Sequence, residues 1–218
     1  MHKIPVYLMP GLGAGNKIFT HLKLPEIYEV HYLQWLLPYQ NETLQDYSRR
    51  LCRQINEENP ILIGVSFGGI VIQEIAKQIS VKQLVIISSI KHHQEMKPLF
   101  KLARNTKLYK LLPVSLLKKR QLLQKLVLPR PIQKKLRLYQ RFLELDDTQY
   151  IRWSIEKILT WQQNRLPENL VHIVGEKDRV FPPQYINYPK IIVPEGRHEM
   201  IIFKVKWFNR HLPEILAK

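Results

Sequence analysis

An apolar run at residues 61–72, which breaks at a serine between glycines, most constrains how this chain can fold. The residues before the serine are β-formers and follow Pro60, which favours a short buried strand. After the serine, apolar side chains recur at roughly helical spacing, at Ile70, Val71, Ile75 and Ile79. The run therefore predicts a strand, a sharp turn with Ser66 at its apex, and a helix.

The turn itself has the sequence Gly64-Val65-Ser66-Phe67-Gly68, which fits the G-x-S-x-G pattern of a nucleophile elbow. In such an elbow the serine backbone is strained, and Gly64 and Gly68 lack side chains so that strand and helix can approach each other. The hydroxyl of Ser66 is thereby presented as a candidate nucleophile. A plain Gly/Ser turn between a strand and a helix is the alternative.

Strand and helix patterns alternate along most of the chain. Predicted strands lie at residues 3–9, 28–36, 61–65, 83–89, 170–175 and 190–193. Besides the elbow helix, helical patterns lie at residues 43–58, with Thr43 or Asn41 as the cap, and at residues 200–216. Because strands that alternate with helices form βαβ units, the predicted class is α/β, with a doubly wound, mostly parallel sheet covered on both faces.

The strand pattern stops between residues 91 and 166. Prolines punctuate three or four helical patterns there, at Pro98, Pro113, Pro129 and Pro131. The run Asp146-Asp147-Thr148 can cap the last of these helices. We therefore expect residues 1–90 and 167–218 to form the core, with residues 91–166 as a helical insertion at the functional edge of the sheet.

Positive charge is concentrated in this insertion. The segment from Lys97 to Arg141 contains fourteen Lys or Arg and no Asp or Glu, and so accounts for nearly all of the formal net charge of +16. Three interpretations stay open: a solvated face over a leucine-rich inner face, contact with an anionic membrane surface, or docking of an acidic acyl carrier. Nucleic acid binding is not expected, because no recognised motif accompanies the charge.

Composition and the N-terminal sequence indicate a cytoplasmic globular protein. Hydrophobic residues make up 45% of the chain, yet no apolar run reaches the roughly 18 residues needed to span a bilayer. The apolar N-terminal segment is too short and too interrupted by proline for a signal peptide. The single cysteine, Cys52, cannot form an internal disulfide and is interpreted as structural or incidental.

Nucleotide and metal motifs are not met. The glycine-rich loop at residues 10–15 has Asn16 where a G-x-G-x-x-G motif requires glycine, and the phosphate-loop pattern fails around Lys17. The pair His92-His93, with Glu95, lacks the spacing of metal ligands, so no metal and no cofactor are predicted. Both histidines follow a strand, which leaves substrate contact open for them.

A serine nucleophile needs a base, and the base needs a carboxylate that orients it. Asp178 comes just after the predicted strand at 170–175, and His198 comes in a loop after the last predicted strand. Their order along the chain, Ser66, Asp178 and then His198, is the order found in α/β-hydrolases. The three residues are therefore the candidate catalytic set.

Alternatives stay open for both partners of the serine. Asp178 could be a turn residue or pair with Lys177 or Arg179, in which case Glu176 is the next candidate carboxylate. His198 could be an ordinary loop histidine. His172 lies inside a predicted strand and is interpreted as a core histidine.

With these residues, the chain resembles the α/β-hydrolase superfamily over nearly its whole length. The resemblance rests on the elbow and on the segments Gly175-x-x-Asp178-x-x-x-Pro182 and Gly196-x-His198, and the insertion lies where that superfamily carries its cap. It implies that Ser66 is the nucleophile and that His198 acts as general base and then as general acid. Asp178 would hold the imidazole in the required tautomer.

The resemblance also implies an oxyanion hole formed by the backbone N–H groups of Phe67 and Leu12. A small-molecule carboxylic ester or thioester is the implied substrate, and the leucines and tyrosines of the insertion favour an apolar acyl group. Two alternatives remain. The same residues could transfer the acyl group to an acceptor other than water, or the protein could be a catalytically silent relative that binds lipid or a partner.

Overall fold

Six parallel strands form the central sheet of the computed structural model, which describes residues 3–111 and 141–217. The strands are β1 (Ile4–Met9), β2 (Tyr28–Tyr32), β3 (Ile61–Val65), β4 (Gln83–Ile87), β5 (Leu170–Gly175) and β6 (Ile191–Val193). Their order across the sheet is β2-β1-β3-β4-β5-β6, and every neighbouring pair is parallel. The prediction of a parallel α/β sheet is confirmed.

Helices pack on both faces of this sheet, and six lie in the described part of the chain. They are α1 (Leu44–Leu51), α2 (Phe67–Ile75), α3 (Pro98–Thr106), α4 (Thr148–Thr160), α5 (Met200–Phe203) and α6 (Val205–Leu216). One core layer packs strand residues such as Leu62 and Ile86 against α1 and α2. The other packs Ile63 and Val85 against α6. Because β3 lies between two strands and two layers, all five of its residues are buried, which explains its unbroken apolar run.

Two predicted helices differ from the observed ones. The helix predicted at 43–58 begins after its cap Thr43 but ends at Leu51, because a 3-10 turn and extended backbone at Ile55 redirect the chain toward β3. The helix predicted at 200–216 is interrupted at Lys204, which separates α5 from α6. Both pieces bury side chains in the same core layer, so packing outweighs the continuous helical pattern.

Two of the predicted strands are shorter in the structure than predicted. In each case the chain leaves the sheet near the end of the strand with which it pairs. β2 was predicted to residue 36 but ends at Tyr32, and beyond it Leu33 donates a last backbone bond to Leu8. β4 was predicted to residue 89 but ends at Ile87, because Ser88 adopts a positive φ of 48°. The apolar residues that follow a strand are thus buried without continuing it.

The described parts of the insertion pack on the core. Asp147 caps α4 as predicted, since its side chain accepts hydrogen bonds from the N–H groups of Gln149 and Tyr150. From the end of α4, the indole of Trp161 donates to the Glu74 carboxylate on α2. The helical patterns predicted between residues 112 and 140 lie outside the described residues. In the described ranges, no helix combines the length and the apolar character needed to cross a membrane.

Candidate active site

Ser66 occupies a strained turn between β3 and α2. Its φ and ψ angles are 53° and −119°, in a region that non-glycine residues rarely adopt and that typically costs about 1–3 kcal/mol. Hydrogen bonds hold the residue in this conformation: its N–H donates to Ile87 O at 2.8 Å, and its carbonyl oxygen accepts from Gly69 N at 2.9 Å. The serine thus sits at the apex that the sequence predicted, at the carboxyl end of a central strand.

The two elbow glycines occupy places with no room for a side chain. A Cβ atom on Gly64 would lie 2.5 Å from the carbonyl oxygen of Gly68, where β3 and α2 touch. A Cβ atom on Gly68 would overlap the carbonyl oxygens of Met9 and Pro10 in the loop after β1. The bare backbone therefore lets this first loop lie directly on the start of α2.

His198 and Asp178 reach Ser66 from the loops that follow β6 and β5. The Nε2 atom of His198 lies 3.0 Å from Ser66 Oγ. Its Nδ1 atom lies 2.9 Å from Asp178 Oδ2 and 3.2 Å from Oδ1. Because a carboxylate can only accept, Nδ1 carries the proton that is shared with Asp178, and Nε2 is left to accept from the serine hydroxyl.

The Asp178 carboxylate is itself held in place by backbone. Its Oδ1 atom accepts hydrogen bonds from the N–H groups of Val180 at 2.7 Å and Phe181 at 3.0 Å, and only 3% of the residue is exposed. The alternatives to this residue point elsewhere: Glu176 accepts from Glu195 N, and Lys177 pairs with the Glu195 carboxylate. Asp178 is thus the carboxylate that lies against the imidazole.

The first loop lies beside the nucleophile. A Cβ atom on Gly11 would lie 3.5 Å from Ser66 Cβ, so the backbone at Gly11 and Leu12 runs close to the serine. Two side chains fix this loop, since the indole of Trp35 donates to Gly11 O and Gly13 N donates to the Tyr150 hydroxyl. Leu12 lines the same cavity as Ser66, so this loop lies beside the candidate nucleophile.

Phe67 directly follows the candidate nucleophile in the chain and is the first residue of α2. The N–H groups of a helix's first turn have no partner within the helix, so such a group can serve another acceptor. The Phe67 ring is fully buried and stacks on Trp35, with ring centroids 5.2 Å apart and an interplanar angle of 7°. Packing thus fixes the residue whose N–H the resemblance to α/β-hydrolases assigns to an oxyanion hole.

A cavity of about 950 Å³ opens onto Ser66 and His198. Its wall is largely apolar, and apolar side chains line it at Leu12, Ile18, Phe142, Val180, Ile201 and Ile202. Charged residues also contribute to the wall, at Glu176, Lys177, Arg179, Arg197 and Glu199. This size and polarity are typical of sites that take small organic molecules.

Comparison with known proteins places the chain in a family. The family described as "Uncharacterised protein family (UPF0227)" matches residues 25–163, which include Ser66 but neither Asp178 nor His198. The chain belongs to this family. No curated protein matches the sequence.

Solved structures that resemble this UPF0227 protein share its fold. A carboxylesterase from the thaumarchaeon Nitrososphaera gargenis is 18% identical, with a TM-score of 0.65 over 99% of this chain and 90% of that chain. An esterase from Thermogutta terrifontis is 12% identical, with a TM-score of 0.64 and coverage of 99% and 90%.

A third structure, the 2-hydroxy-6-oxo-6-phenylhexa-2,4-dienoate hydrolase of Rhodococcus sp. strain RHA1, is 15% identical, with a TM-score of 0.65 over 99% of this chain and 91% of that chain. With the sheet order described above, these likenesses show that the UPF0227 chain has the α/β-hydrolase fold.

Three other histidines that the sequence analysis considered, His92, His93 and His172, do not line this cavity. His92 accepts a hydrogen bond from Gln94 N, and neither His92 nor His93 lines the cavity. His172 is 1% exposed, and burial lowers its pKa to about 3, as suits a core histidine. Within residues 3–111 and 141–217, no group of three or more His, Cys, Asp or Glu side chains is arranged to hold a metal ion.

Sequence reasoning missed one side chain at the nucleophile. The hydroxyl of Ser89 donates a 2.7 Å hydrogen bond to the carbonyl oxygen of Ser66. Its position at the end of the strand predicted at 83–89 was the available signal, because the carboxyl ends of parallel strands share one edge of the sheet.

Proposed function

We propose that this protein is a serine hydrolase that cleaves carboxylic esters or thioesters with an apolar acyl group. The observation that carries the proposal is the continuous hydrogen-bond chain from Ser66 through His198 to Asp178, with distances of 3.0 and 2.9 Å, at the wall of the cavity. A neutral imidazole between a hydroxyl and a buried carboxylate is the arrangement that activates a serine.

In this mechanism Ser66 Oγ attacks the carbonyl carbon of the substrate while His198 Nε2 takes the hydroxyl proton. Asp178 stabilises the imidazolium that forms and keeps it oriented. The negative charge that develops on the carbonyl oxygen is bound by the backbone N–H groups of Phe67 and Leu12. Each such donor is typically worth about 3 kcal/mol in the transition state.

The tetrahedral intermediate then expels the alcohol or thiol, which receives its proton from His198, and an acyl-enzyme remains on Ser66. His198 next removes a proton from water as the water attacks the acyl carbon, and the second tetrahedral intermediate releases the acid and regenerates the Ser66 hydroxyl. No cofactor enters either step. The residues of this protein therefore supply every proton transfer that the reaction requires.

The apolar wall of the cavity supports an apolar acyl group. Leu12, Phe142 and Ile202 lie on this wall, together with the reacting side chains. Several proteins of the same fold are described as esterases or hydrolases, which favours hydrolysis over the silent alternative. These descriptions also favour hydrolysis over acyl transfer. If an added acceptor alcohol raised turnover, the acyl-enzyme would be transferring its acyl group to that alcohol and not to water.

The function of the basic segment from Lys97 to Arg141 is a separate hypothesis. Residues 112–140 lie outside the described part, and the described cations there include Lys97, whose ammonium donates to Arg179 O beside the cavity. Contact with an anionic membrane surface or an acidic carrier predicts binding that weakens with ionic strength, since exposed charges are screened within about 10 Å at 0.1 M salt. A solvated face predicts no such binding.

The decisive experiment is the intact mass of the protein after treatment with a fluorophosphonate probe. We expect one added probe mass on the wild type, none on Ser66→Ala and much slower addition to His198→Ala. Ser48→Ala is the matched control, because Ser48 is buried away from the cavity on α1 and should leave labelling unchanged. A wild type that takes up no probe would contradict the proposal and favour a binding protein of this fold.

A further inference from the structure

The carbonyl oxygen of Ser66 accepts a side-chain hydrogen bond that the proposed reaction does not use. Its donor is the hydroxyl of Ser89, at 2.7 Å, and Ser89 is fully buried. The same carbonyl oxygen also accepts from Gly69 N at 2.9 Å. Two donors therefore converge on one carbonyl group of the nucleophile's own backbone.

This carbonyl group belongs to the same peptide plane as a proposed oxyanion donor. The peptide bond between Ser66 and Phe67 carries the Ser66 C=O on one side and the Phe67 N–H on the other, and its partial double bond keeps the two groups coplanar and opposed. A hydrogen bond that fixes the direction of the carbonyl consequently fixes the direction of the N–H. Donation to the carbonyl also polarises the peptide unit, which strengthens its N–H as a donor.

Ser89 is in turn held from two directions. The Nε2 atom of His172, on β5, lies 3.0 Å from Ser89 O, and because burial lowers the pKa of His172 to about 3, the neutral ring donates from Nε2 to this carbonyl. On the other side, a Cβ atom on Gly69 would lie 2.6 Å from Ser89 Oγ, so the hydroxyl packs directly against the bare backbone of α2. The donor has little freedom to leave Ser66.

We propose that Ser89 is a positioning residue that aims the Phe67 N–H at the oxyanion, and that His172 holds Ser89 in place. The inference rests on the proposed function, because it assigns a task within the same acyl-transfer chemistry. Ser89 contacts no substrate atom in this assignment and acts only through the Ser66–Phe67 peptide. Its effect should appear in the transition state, where the oxyanion forms, and not in the binding of the ground-state ester.

The test compares Ser89→Ala with Ser88→Ala. Ser88 is the matched control because it is adjacent and fully buried, and its hydroxyl has no hydrogen-bond partner among the described residues. For each protein, kcat and KM are measured with p-nitrophenyl butyrate, together with the inhibition constant of an alkyl trifluoromethyl ketone, whose adduct with serine carries an oxyanion. Thermal unfolding is measured alongside.

We expect Ser89→Ala to lower kcat by about tenfold or more while KM stays within twofold of the wild type, since loss of a whole oxyanion donor typically costs 100-fold to 1,000-fold. The inhibition constant of the ketone should rise by the same factor as kcat falls. Ser88→Ala should have the wild-type kcat, KM and inhibition constant. A merely structural role would lower the unfolding temperature without this split between kcat and KM.

Equal kcat values for Ser89→Ala and Ser88→Ala would overturn the proposal, and so would a loss of ketone affinity that is matched by a rise in KM. If Ser89→Ala does not fold, Ser89→Cys provides the same test, because a thiol of similar size donates only weakly. A wild type that neither hydrolyses the ester nor takes up the fluorophosphonate probe would instead contradict the proposed function, and this inference with it. A wild type that does both leaves the two variants to decide the inference alone.

Discussion

His198 Nε2 lies 3.0 Å from Ser66 Oγ, although the two residues are 132 positions apart in the chain. Strand order produces this proximity: β3, which ends just before Ser66, is separated from β6 by β4 and β5, and all four strands run parallel. Their carboxyl ends therefore open onto one edge of the sheet, where the loops after β5 and β6 meet the elbow.

Asp178→Asn should leave the fold intact and nearly abolish turnover. An amide oxygen can still accept from Val180 N and Phe181 N, but the amide group no longer demands the Nδ1–H tautomer of His198. We expect kcat to fall by about 10⁴-fold, as in serine proteases with the same change. Rates of ester hydrolysis measure turnover, and circular dichroism checks the fold. Glu26→Gln, at an exposed position that does not line the cavity, is the control for loss of a carboxylate charge. Turnover of Asp178→Asn within tenfold of the wild type would contradict the assigned role of the carboxylate.

Gly68→Ala should destabilise the protein. The added Cβ atom would overlap the carbonyl oxygens of Met9 and Pro10, which are backbone atoms in a loop that cannot move without displacing Leu12. Overpacking of this kind typically costs about 1–3 kcal/mol in the free energy of unfolding. Urea denaturation measures the change.

Gly15→Ala is a suitable control for this prediction, because the atoms that its Cβ would meet belong to the flexible end of the Glu144 side chain. We expect Gly15→Ala to retain most of the wild-type stability. If both variants lost the same free energy of unfolding, the close approach at Gly68 would not be the cause of the destabilisation.

Glu95→Gln should change how stability depends on pH. Burial raises the pKa of the Glu95 carboxyl to about 7, against the opposing attraction of Lys91 and Lys190, and the ordinary value is 4.5. Between these values the folded state holds more protons than the unfolded state, so this group's contribution is fully present below pH 4.5 and is lost as the pH rises through 7. The loss is about 3 kcal/mol, since each unit of pKa shift is worth about 1.4 kcal/mol.

The measurement is the difference in unfolding free energy between wild type and Glu95→Gln at several pH values from 4 to 8. The difference isolates Glu95, because the opposite trend that buried His172 contributes is present in both proteins. Glu26→Gln, at an exposed position, controls for the loss of one carboxylate charge. A difference that is constant across this range would show that Glu95 does not titrate there.

Ile202→Trp should discriminate against long acyl chains. Ile202 lines the cavity, and the larger ring would occupy space that a chain of several methylenes needs. Each methylene kept from apolar contact costs about 0.8 kcal/mol, so kcat/KM for p-nitrophenyl decanoate should fall about tenfold while that for the acetate changes little. Ile192→Trp, on the exposed side of β6, is the control. A uniform decrease for both esters would place the acyl group elsewhere.

Local patterns predicted the strands well where burial was continuous. β5 has the predicted bounds, and β3 ends at the residue before the predicted serine. Helix ends were less predictable, because the helical period of residues 43–58 continues past Leu51 whereas the helix ends there in a 3-10 turn and extended backbone at Ile55. The catalytic roles of Ser66, Asp178 and His198 stay predictions, although the structure brings their side chains together.

By itself the sequence determined the alternation of strands and helices, the sharp turn at Ser66 and the order of the candidate catalytic residues, because these depend on the spacing of apolar and glycine residues along short stretches. Only the tertiary structure decided that Asp178 and not Glu176 faces His198, and that Ser89 bonds to Ser66. These contacts depend on the register between parallel strands and on the directions in which loops leave them. Neither quantity is a property of any one segment.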